Sequence, residues 1–226
     1  MRKYIVMKKL LSKINSLVKC LFYLIRRGVD ILISCLVLLF SAPVMCIIAL
    51  LIKLEDGGPA FFIQKRTGKD NQSFNIYKFR TMYEYNHTKQ KVVEINRKWI
   101  HGVPEDFVFK KTDGHDPNIT KIGAFLRKTS LDELPQFLNV LKGEMSIVGP
   151  RPEITEITKY YTKEQQKRLQ VKPGITGWAQ IHGRSDMNTG KKIELDMYYV
   201  ENHSLLLDIF IILKTIKVVL TTKGAV

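Results

Sequence analysis

Asp132 and Glu133 form a pair of adjacent carboxylates at the predicted start of a helix, in the stretch SLDELPQFLNVLKGEMSIVGPRPE. Carboxylates serve enzymes as nucleophiles and as ligands for divalent cations. The same residues also fit the S-x-x-E capping box, in which Ser130 caps the helix and Glu133 reaches back to a backbone N–H. Residues 130–133 alone favour the capping interpretation, so a catalytic one depends on their surroundings.

Basic residues near predicted turns could bind the anions that such carboxylate chemistry handles. Arg151 lies between Pro150 and Pro152, which restrict the backbone and direct the side chain. Its planar guanidinium suits bidentate phosphate binding. Four further candidates could join it: Lys78, Arg80, Arg127 and Arg184. Taken singly, each of these is more often a solvated surface charge.

The composition narrows the classes of partner and site. The net charge is +15, and residues 1–28 carry eight basic residues and no acidic one. Such an excess suits nucleic acid, an anionic membrane surface or a phosphorylated substrate. Cys20, Cys35 and Cys46 all lie in the apolar N-terminal region, which argues against disulfides or a zinc cluster in the globular part. The sequence contains no H-E-x-x-H, Walker A or G-x-G-x-x-G motif and no internal repeat.

Residues 29–54 are almost continuously apolar, which is typical of a transmembrane helix. Pro43 lies inside this run and predicts a kink or break. Residues 29–40 alone would span only ~18 Å, which is short of a ~30 Å hydrocarbon core. Two geometries remain, a kinked span and a re-entrant hairpin. Because both flanks are basic, we favour the hairpin, with both flanks on the cytoplasmic side.

Two further segments have alternative interpretations. Residues 4–25 place apolar side chains at helical spacing between lysines, which favours a basic amphipathic helix on anionic lipid over a helix packed on the core. Residues 205–220 are apolar but interrupted by three charges, so they form a core helix or a second interfacial helix.

The globular part reads as α+β, with more helix than strand. Residues 60–64 and 74–79 read as two short strands joined by a Gly/Asp/Asn-rich turn. Residues 83–118 read as loop with some helix. Trp178 lies among glycines in a predicted loop and could stack on a base, lie at the membrane interface or fill the core. The other elements predicted are helices at 122–127 and 134–141 and a strand at 145–148.

Four stretches resemble the bacterial sugar transferase family, whose small members are monotopic polyprenyl-phosphate phosphoglycosyl transferases. In chain order they are FNIYKFRTM, SLDELPQFLNVLKGEMSIVGPRPE, KPGITGWAQIHGR and ELDMYYVENHSLLLDIFIILKT. The similarity runs over residues 29–220, and the order of four long motifs makes it specific. Two positions depart from the family pattern. Ala42 replaces the serine that usually precedes the membrane proline, and Asn118 replaces the arginine of a D-P-R motif.

The resemblance implies transfer of a sugar-1-phosphate from a UDP-sugar to undecaprenyl or a similar polyprenyl phosphate, with Mg²⁺ and release of UMP. The family's catalytic dyad falls on Asp132 and Glu133, with Asp132 as the nucleophile and Glu133 as the Mg²⁺ ligand. The family's phosphate-contacting basic positions fall on Lys78, Arg80, Arg127 and Arg151. The helix dipole should help to keep the carboxylates ionised.

These inferences give three regions: a basic interfacial helix over residues 1–28, a re-entrant membrane hairpin over 29–54 broken at Pro43, and a cytosolic catalytic domain over 55–226. The expected location is the cytoplasmic face of the inner membrane, with membrane lipid as a partner and a homo-oligomer left open. Two other classes of protein would show the same sequence features. A nucleic-acid-binding protein would account for the positive charge, but the basic residues of this chain are not interleaved with the aromatic residues that base stacking requires. In a non-catalytic membrane adaptor, Asp132 and Glu133 would serve only as a helix cap.

Overall fold

The computed structural model describes residues 2–83, 99, 102–108, 116–183 and 187–220, so most of the predicted 83–118 loop lies outside it. The described part is mostly helical with two small sheets, as the α+β prediction expected. Its helices are α1 (Arg2–Asp56), α2 (Lys121–Thr129), α3 (Gln136–Lys142), α4 (Thr155–Thr158), α5 (Lys163–Gln166), α6 (Trp178–His182), α7 (Thr189–Asn202) and α8 (Leu205–Leu220). Its strands are β1 (Phe61–Thr67), β2 (Ser73–Phe79), β3 (Ser146–Val148), β4 (Glu153–Ile154) and β5 (Gly174–Thr176).

The helix α1 is continuous over 55 residues and contains Pro43. The predicted separation at residue 28 and the predicted break at Pro43 are therefore not seen as interruptions of secondary structure. A proline removes one backbone hydrogen bond and crowds one carbonyl, which bends a helix without necessarily ending it. Ser41, the nearby serine, donates its hydroxyl to the sulfur of Met45. A re-entrant hairpin thus requires a bend within a continuous helix, and it stays a prediction.

The C-terminal two thirds of α1 could lie in a membrane. The stretch Cys20–Asp56 is long and apolar enough to cross one, and only 11% of its most apolar window is buried. Leu39 and Phe40, near the middle of this stretch, are 69% and 75% exposed. Apolar side chains so exposed to water would be unfavourable, which suggests contact with lipid.

Both ends of this apolar stretch are held by the globular part. At the first end, Arg26 donates to the carbonyl of Val148 at 2.6 Å, and Asp30 accepts from the hydroxyl of Ser146 at 2.8 Å. At the second end, Glu55 accepts from the backbone N–H of Lys121 at 2.7 Å and so adds to the Thr120 cap of α2. One globular body therefore contacts α1 on both sides of its exposed middle.

The predicted strand pair is confirmed as the antiparallel hairpin β1–β2, and β4 extends this sheet on the other side of β1. Its turn uses Asp70 and Asn71 in left-handed conformation, as the Asp/Asn-rich sequence allows. The strands β3 and β5 pair in parallel. A Cβ on Gly174 would lie 2.1 Å from the backbone nitrogen of Gly149, so this approach requires glycine.

The helix α8 occupies the predicted residues 205–220. It has features both of a core helix and of an interfacial helix, the two alternatives predicted for it. Ile211 is fully buried in the main core with Val140, Met145 and Tyr199. The opposite side of the helix exposes a row of large apolar residues: Leu206, Ile209, Leu213 and Ile216. One face of α8 is therefore a core face, and the other remains available to lipid.

Trp178 at the start of α6 is half-buried and packs against the main core. Its ring stacks on Tyr198 of α7 with the centroids 5.1 Å apart, and it also contacts His182 and Phe210. Of the three roles considered for this residue, the core-filling one describes these contacts.

Candidate active site

The carboxylate pair lies on a short 3-10 turn, Leu131–Glu133, between α2 and α3. Ser130 ends α2 in left-handed conformation, with φ of 58°. Its side chain makes no capping hydrogen bond, and the N–H of Glu133 donates to the Ser130 carbonyl instead. The capping-box interpretation of these residues is therefore wrong, and both carboxylates are available for other contacts.

Glu133 is held by two cations that come from distant parts of the chain. One of its oxygens, Oε1, accepts from Lys78 Nζ at 2.7 Å and from Arg151 Nη2 at 2.9 Å. Lys78 extends from β2, whereas Arg151 extends from the loop after β3. The side chains of Lys78 and Glu133 are only 16% and 17% exposed, so water screens this contact little.

Asp132 lies beside the same cations but without such close contacts. Its Oδ2 is 4.0 Å from Lys78 Nζ, and its side chain is 14% exposed. Arg127 of α2 lies on this side of the cluster, since Asp132 opposes the lowering of the Arg127 pKa that burial causes. The Arg127 Nε donates to the hydroxyl of Thr81 at 2.9 Å, which holds its guanidinium in place.

The two carboxylates have different proton affinities. Burial and the adjacent Glu133 charge raise the pKa of Asp132 to about 6, although Lys78, Arg151 and Arg127 oppose this shift. Burial also opposes ionisation of Glu133, but Arg151 and Lys78 outweigh it and hold the Glu133 pKa well below its usual range. We expected the helix dipole to keep Asp132 ionised and its pKa low. The dipole of the short helix α3 does not have this effect, because the pKa of Asp132 is raised. At neutral pH both groups are mostly ionised, and Asp132 is the more basic one.

Asp132→Asn should stabilise the folded protein at neutral pH. The pKa of this carboxyl is near 3.8 in the unfolded chain and about 6 in the folded protein, so ionisation destabilises the fold by up to about 3 kcal/mol above pH 6. This penalty shrinks as the pH falls from about 6 towards about 4, because the folded group then becomes protonated. The gain in the free energy of unfolding should shrink in the same window, as measured by denaturant titration at several pH values.

Asp70→Asn is the matched control for this change. Its carboxylate is 66% exposed, and its left-handed backbone suits asparagine equally well. It should change the free energy of unfolding little at any pH. Equal stability of the wild type and Asp132→Asn at neutral pH would contradict the raised pKa.

Arg80 and Arg184 differ from the other predicted site residues. Arg80 is buried, donates with both Nη groups to Asp56 at the end of α1, and donates with Nε to the Pro59 carbonyl at 2.6 Å. It thus ties α1 to β2, and phosphate binding by Arg80 stays a prediction. Arg184 lies outside the described residues.

The donor set fits a magnesium ion that also binds substrate phosphates. Among the described residues, no three His, Cys, Asp or Glu side chains form a metal-binding group. Mg²⁺ commonly uses one or two protein carboxylates and takes its remaining ligands from phosphates and water. Asp132 and Glu133 offer two hard oxygen ligands at one place, so they fit this requirement.

Sequence reasoning missed a set of buried residues behind Arg151. Arg168 and Asp196 form an ion pair at 2.5 Å, with their side chains 6% and 2% exposed. Arg168 also donates to the hydroxyl of Tyr161 at 2.5 Å. Arg168 lies in the polar run KEQQKRLQ, where nothing local distinguishes a buried arginine from an exposed one.

Comparison with known proteins finds matches over most of the chain. The family model for bacterial sugar transferase matches residues 21–222. The chain is 42% identical over 221 residues to UDP-N-acetylgalactosamine-undecaprenyl-phosphate N-acetylgalactosaminephosphotransferase of Aeromonas hydrophila. It is 42% identical over 201 residues to UDP-glucose:undecaprenyl-phosphate glucose-1-phosphate transferase of Escherichia coli. It is 38% identical over 200 residues to the exopolysaccharide production protein ExoY of Sinorhizobium fredii.

These matches cover different shares of the relatives. They include 95% of this chain but 48% of the Aeromonas protein, and 85% of this chain but 39% of the Escherichia protein. The chain thus spans about half the length or less of these two relatives. ExoY is matched over 87% of its length and 88% of this chain. By the extent of the family match and these identities, the chain belongs to the bacterial sugar transferase family.

Proposed function

We propose that the protein transfers a sugar-1-phosphate from a UDP-sugar to a polyprenyl phosphate of the undecaprenyl type, and releases UMP. This would be the first membrane step of a lipid-linked glycan pathway that serves exopolysaccharide or glycoconjugate synthesis. The observation that carries the proposal is the contact of Glu133 with Lys78 and Arg151, directly beside the more basic Asp132. The activities for which the Aeromonas and Escherichia relatives are named support the same reaction class.

In the first step, a carboxylate oxygen of Asp132 attacks the phosphorus that carries the sugar. A bond forms between this oxygen and phosphorus, and the bond to the bridging oxygen of the diphosphate breaks. UMP leaves with that electron pair, and the sugar phosphate remains on Asp132 as an acyl phosphate. The raised pKa supports this role, because the group is mostly ionised at neutral pH and more basic than an ordinary aspartate.

In the second step, a phosphate oxygen of the polyprenyl phosphate attacks the same phosphorus. The oxygen–phosphorus bond to Asp132 breaks, the carboxylate is regenerated, and the product is a polyprenyl diphosphate sugar. No proton has to be removed from the ionised acceptor, so the step needs no separate general base.

The cations of the cluster stabilise the charge that these steps move. Lys78 and Arg151 form ion pairs with Glu133, and Arg127 interacts electrostatically with Asp132. Three positive groups can therefore stabilise the negative charge of the reacting phosphates. Glu133, with Asp132 beside it, would hold the magnesium ion. When bound, Mg²⁺ neutralises phosphate oxygens and stabilises the departing UMP.

The membrane arrangement proposed is a re-entrant hairpin of α1 on the cytoplasmic face of the inner membrane. Its support is the attachment of both ends of the exposed stretch to one globular body, through Arg26 and Asp30 before it and Glu55 after it. Between Asp30 and Glu55 a straight helix would extend for about 38 Å, enough to cross a hydrocarbon core of about 30 Å. A straight crossing would place parts of that one body on opposite sides of the bilayer.

Topology can be tested by cysteine labelling in intact cells. With the native cysteines replaced, single cysteines at Lys13 and Lys69 lie on exposed positions of the two flanks. Neither should react with a membrane-impermeant reagent added outside, and both should react after permeabilisation. Pro43→Leu restores one backbone hydrogen bond, so it should favour a straight span and expose one flank. Labelling of one flank alone in the wild-type background would refute the hairpin.

The reaction itself can be tested with purified protein in lipid nanodiscs. UMP should form when a panel of UDP-sugars is supplied together with undecaprenyl phosphate and Mg²⁺, and one or a few of these sugars should be used. A membrane adaptor or a nucleic-acid binder would release no UMP from any of them. Lack of UMP with every sugar of a broad panel would reject the proposed function.

A further inference from the structure

Arg151 reaches Glu133 from a loop, so the backbone of that loop determines where its guanidinium lies. The Arg151 side chain is 54% exposed, and its own packing does little to fix it. The loop backbone is held at two points before Arg151. Gly149 donates its N–H to the Thr176 carbonyl at 2.8 Å, and Pro150 accepts from the N–H of Gly174 at 2.9 Å.

Arg168 holds the backbone of Arg151 itself. Its Nη2 donates to the Arg151 carbonyl at 3.1 Å and to Asp196 Oδ2 at 2.5 Å, while its Nη1 donates to the Tyr161 hydroxyl at 2.5 Å. All three partners come from separate elements: the loop after β3, α7 and the turn after α4. Arg168 and Asp196 are 5% and 1% exposed, so the guanidinium is fixed inside the protein.

A second group of the same composition holds the other end of this segment. Arg26 of α1 donates to the Val148 carbonyl at 2.6 Å and to the Tyr199 hydroxyl at 2.7 Å, and it forms an ion pair with Asp208 at 2.9 Å. The short segment from Val148 to Arg151 therefore lies between two buried Arg–Asp–Tyr groups. Buried ion pairs add little net stability but do fix geometry, because a misplaced charge is costly there.

We propose that Arg168, held by Asp196 and Tyr161, is a positioning residue that directs Arg151 onto Glu133 for the first half-reaction. Arg168 does not touch the dyad and acts through the Arg151 carbonyl. The inference rests on the proposed function, since it concerns the rate of UMP release. A group that only stabilises the fold would affect activity whether or not Arg151 were present, and this difference makes the inference testable.

The test is a double-mutant cycle on UMP release from the UDP-sugar. Arg168→Met should lower kcat/KM roughly 10- to 100-fold in the wild-type background, the scale expected for a misplaced binding group. In an Arg151→Gln background the same change should lower kcat/KM less than about threefold, because the group it positions is gone. The loss in thermal midpoint should be similar in both backgrounds. Equal losses of kcat/KM in both backgrounds would overturn the inference.

Tyr161→Phe provides a milder version of the same cycle, which applies even where Arg168→Met fails to fold. It removes one acceptor from Arg168 and leaves the ion pair with Asp196 in place. Its smaller loss of kcat/KM should also vanish in the Arg151→Gln background, and persistence there would overturn the inference. Tyr160→Phe is the matched control, since the Tyr160 ring packs on Trp99, and it should leave UMP release unchanged. Absence of UMP release by the wild type would instead reject the proposed function.

Discussion

UMP should appear in a burst when the purified protein meets its UDP-sugar before any polyprenyl phosphate is added. The burst should reach up to about one equivalent of enzyme, because each Asp132 would form one acyl phosphate and keep it until the acceptor arrives. Rapid quenching followed by mass spectrometry should find the sugar phosphate on Asp132. Addition of polyprenyl phosphate should remove this adduct and start steady turnover.

Asp132→Asn should abolish both the burst and the adduct, because a neutral amide is a poor nucleophile. The variant should still bind the UDP-sugar through Arg127 and Arg151, and it should melt no lower than the wild type at neutral pH. Asp70→Asn should retain a full burst. If the wild type turns over with acceptor but shows neither burst nor adduct, both substrates react in one complex and Asp132 is not the nucleophile.

Glu133→Gln should reduce steady turnover by roughly 100- to 1,000-fold while the protein stays folded. The amide keeps the shape of the side chain but removes the charge that Lys78 and Arg151 both contact. It also weakens the proposed magnesium site. Turnover measured against Mg²⁺ concentration should therefore show a higher requirement for the ion in the variant, and thermal melting should confirm that it remains folded.

Glu194→Gln is the control for the same chemical change at an exposed ion pair. Glu194 contacts Lys191 on the surface of α7 and is 67% exposed, so turnover and Mg²⁺ dependence should not change. Normal turnover of Glu133→Gln at an unchanged Mg²⁺ requirement would assign Glu133 a purely structural role.

Elements with a strong local pattern could be predicted from the sequence. The turn residues Asp70 and Asn71 predicted the β1–β2 hairpin, and the apolar run predicted α8 at its observed bounds, Leu205–Leu220. The start of α3 was placed two residues early, at 134, because Leu134 and Pro135 precede its first regular turn. The single helix α1 was not predicted, since a proline reports a possible bend but not its extent.

The site was predictable only in part, because its contacts join distant residues. Glu133 lies 55 residues from Lys78 and 18 from Arg151, and the family motifs rather than any local pattern brought these positions together. Arg80 shows the limit of that approach. Its contact with Asp56 depends on where α1 ends against β2, which no short stretch encodes. The raised pKa of Asp132 likewise depends on burial, a property of the whole fold.

The attachment of α1 at both ends makes the membrane anchor part of the enzyme's construction rather than a detachable tether. Removal of residues up to Asp56 would take away the Glu55 carboxylate that accepts from the first N–H of α2, the helix that carries Arg127. Arg80 would lose its contact with Asp56. It would also take Arg26 from the Val148 carbonyl, three residues before Arg151. A soluble catalytic fragment, or a chimera with a foreign anchor, would therefore lose supports of the catalytic cluster along with its hold on lipid. Strain on α1 should therefore disturb the contacts of Arg26, Glu55 and Asp56, so we expect turnover to depend on bilayer thickness and lipid composition.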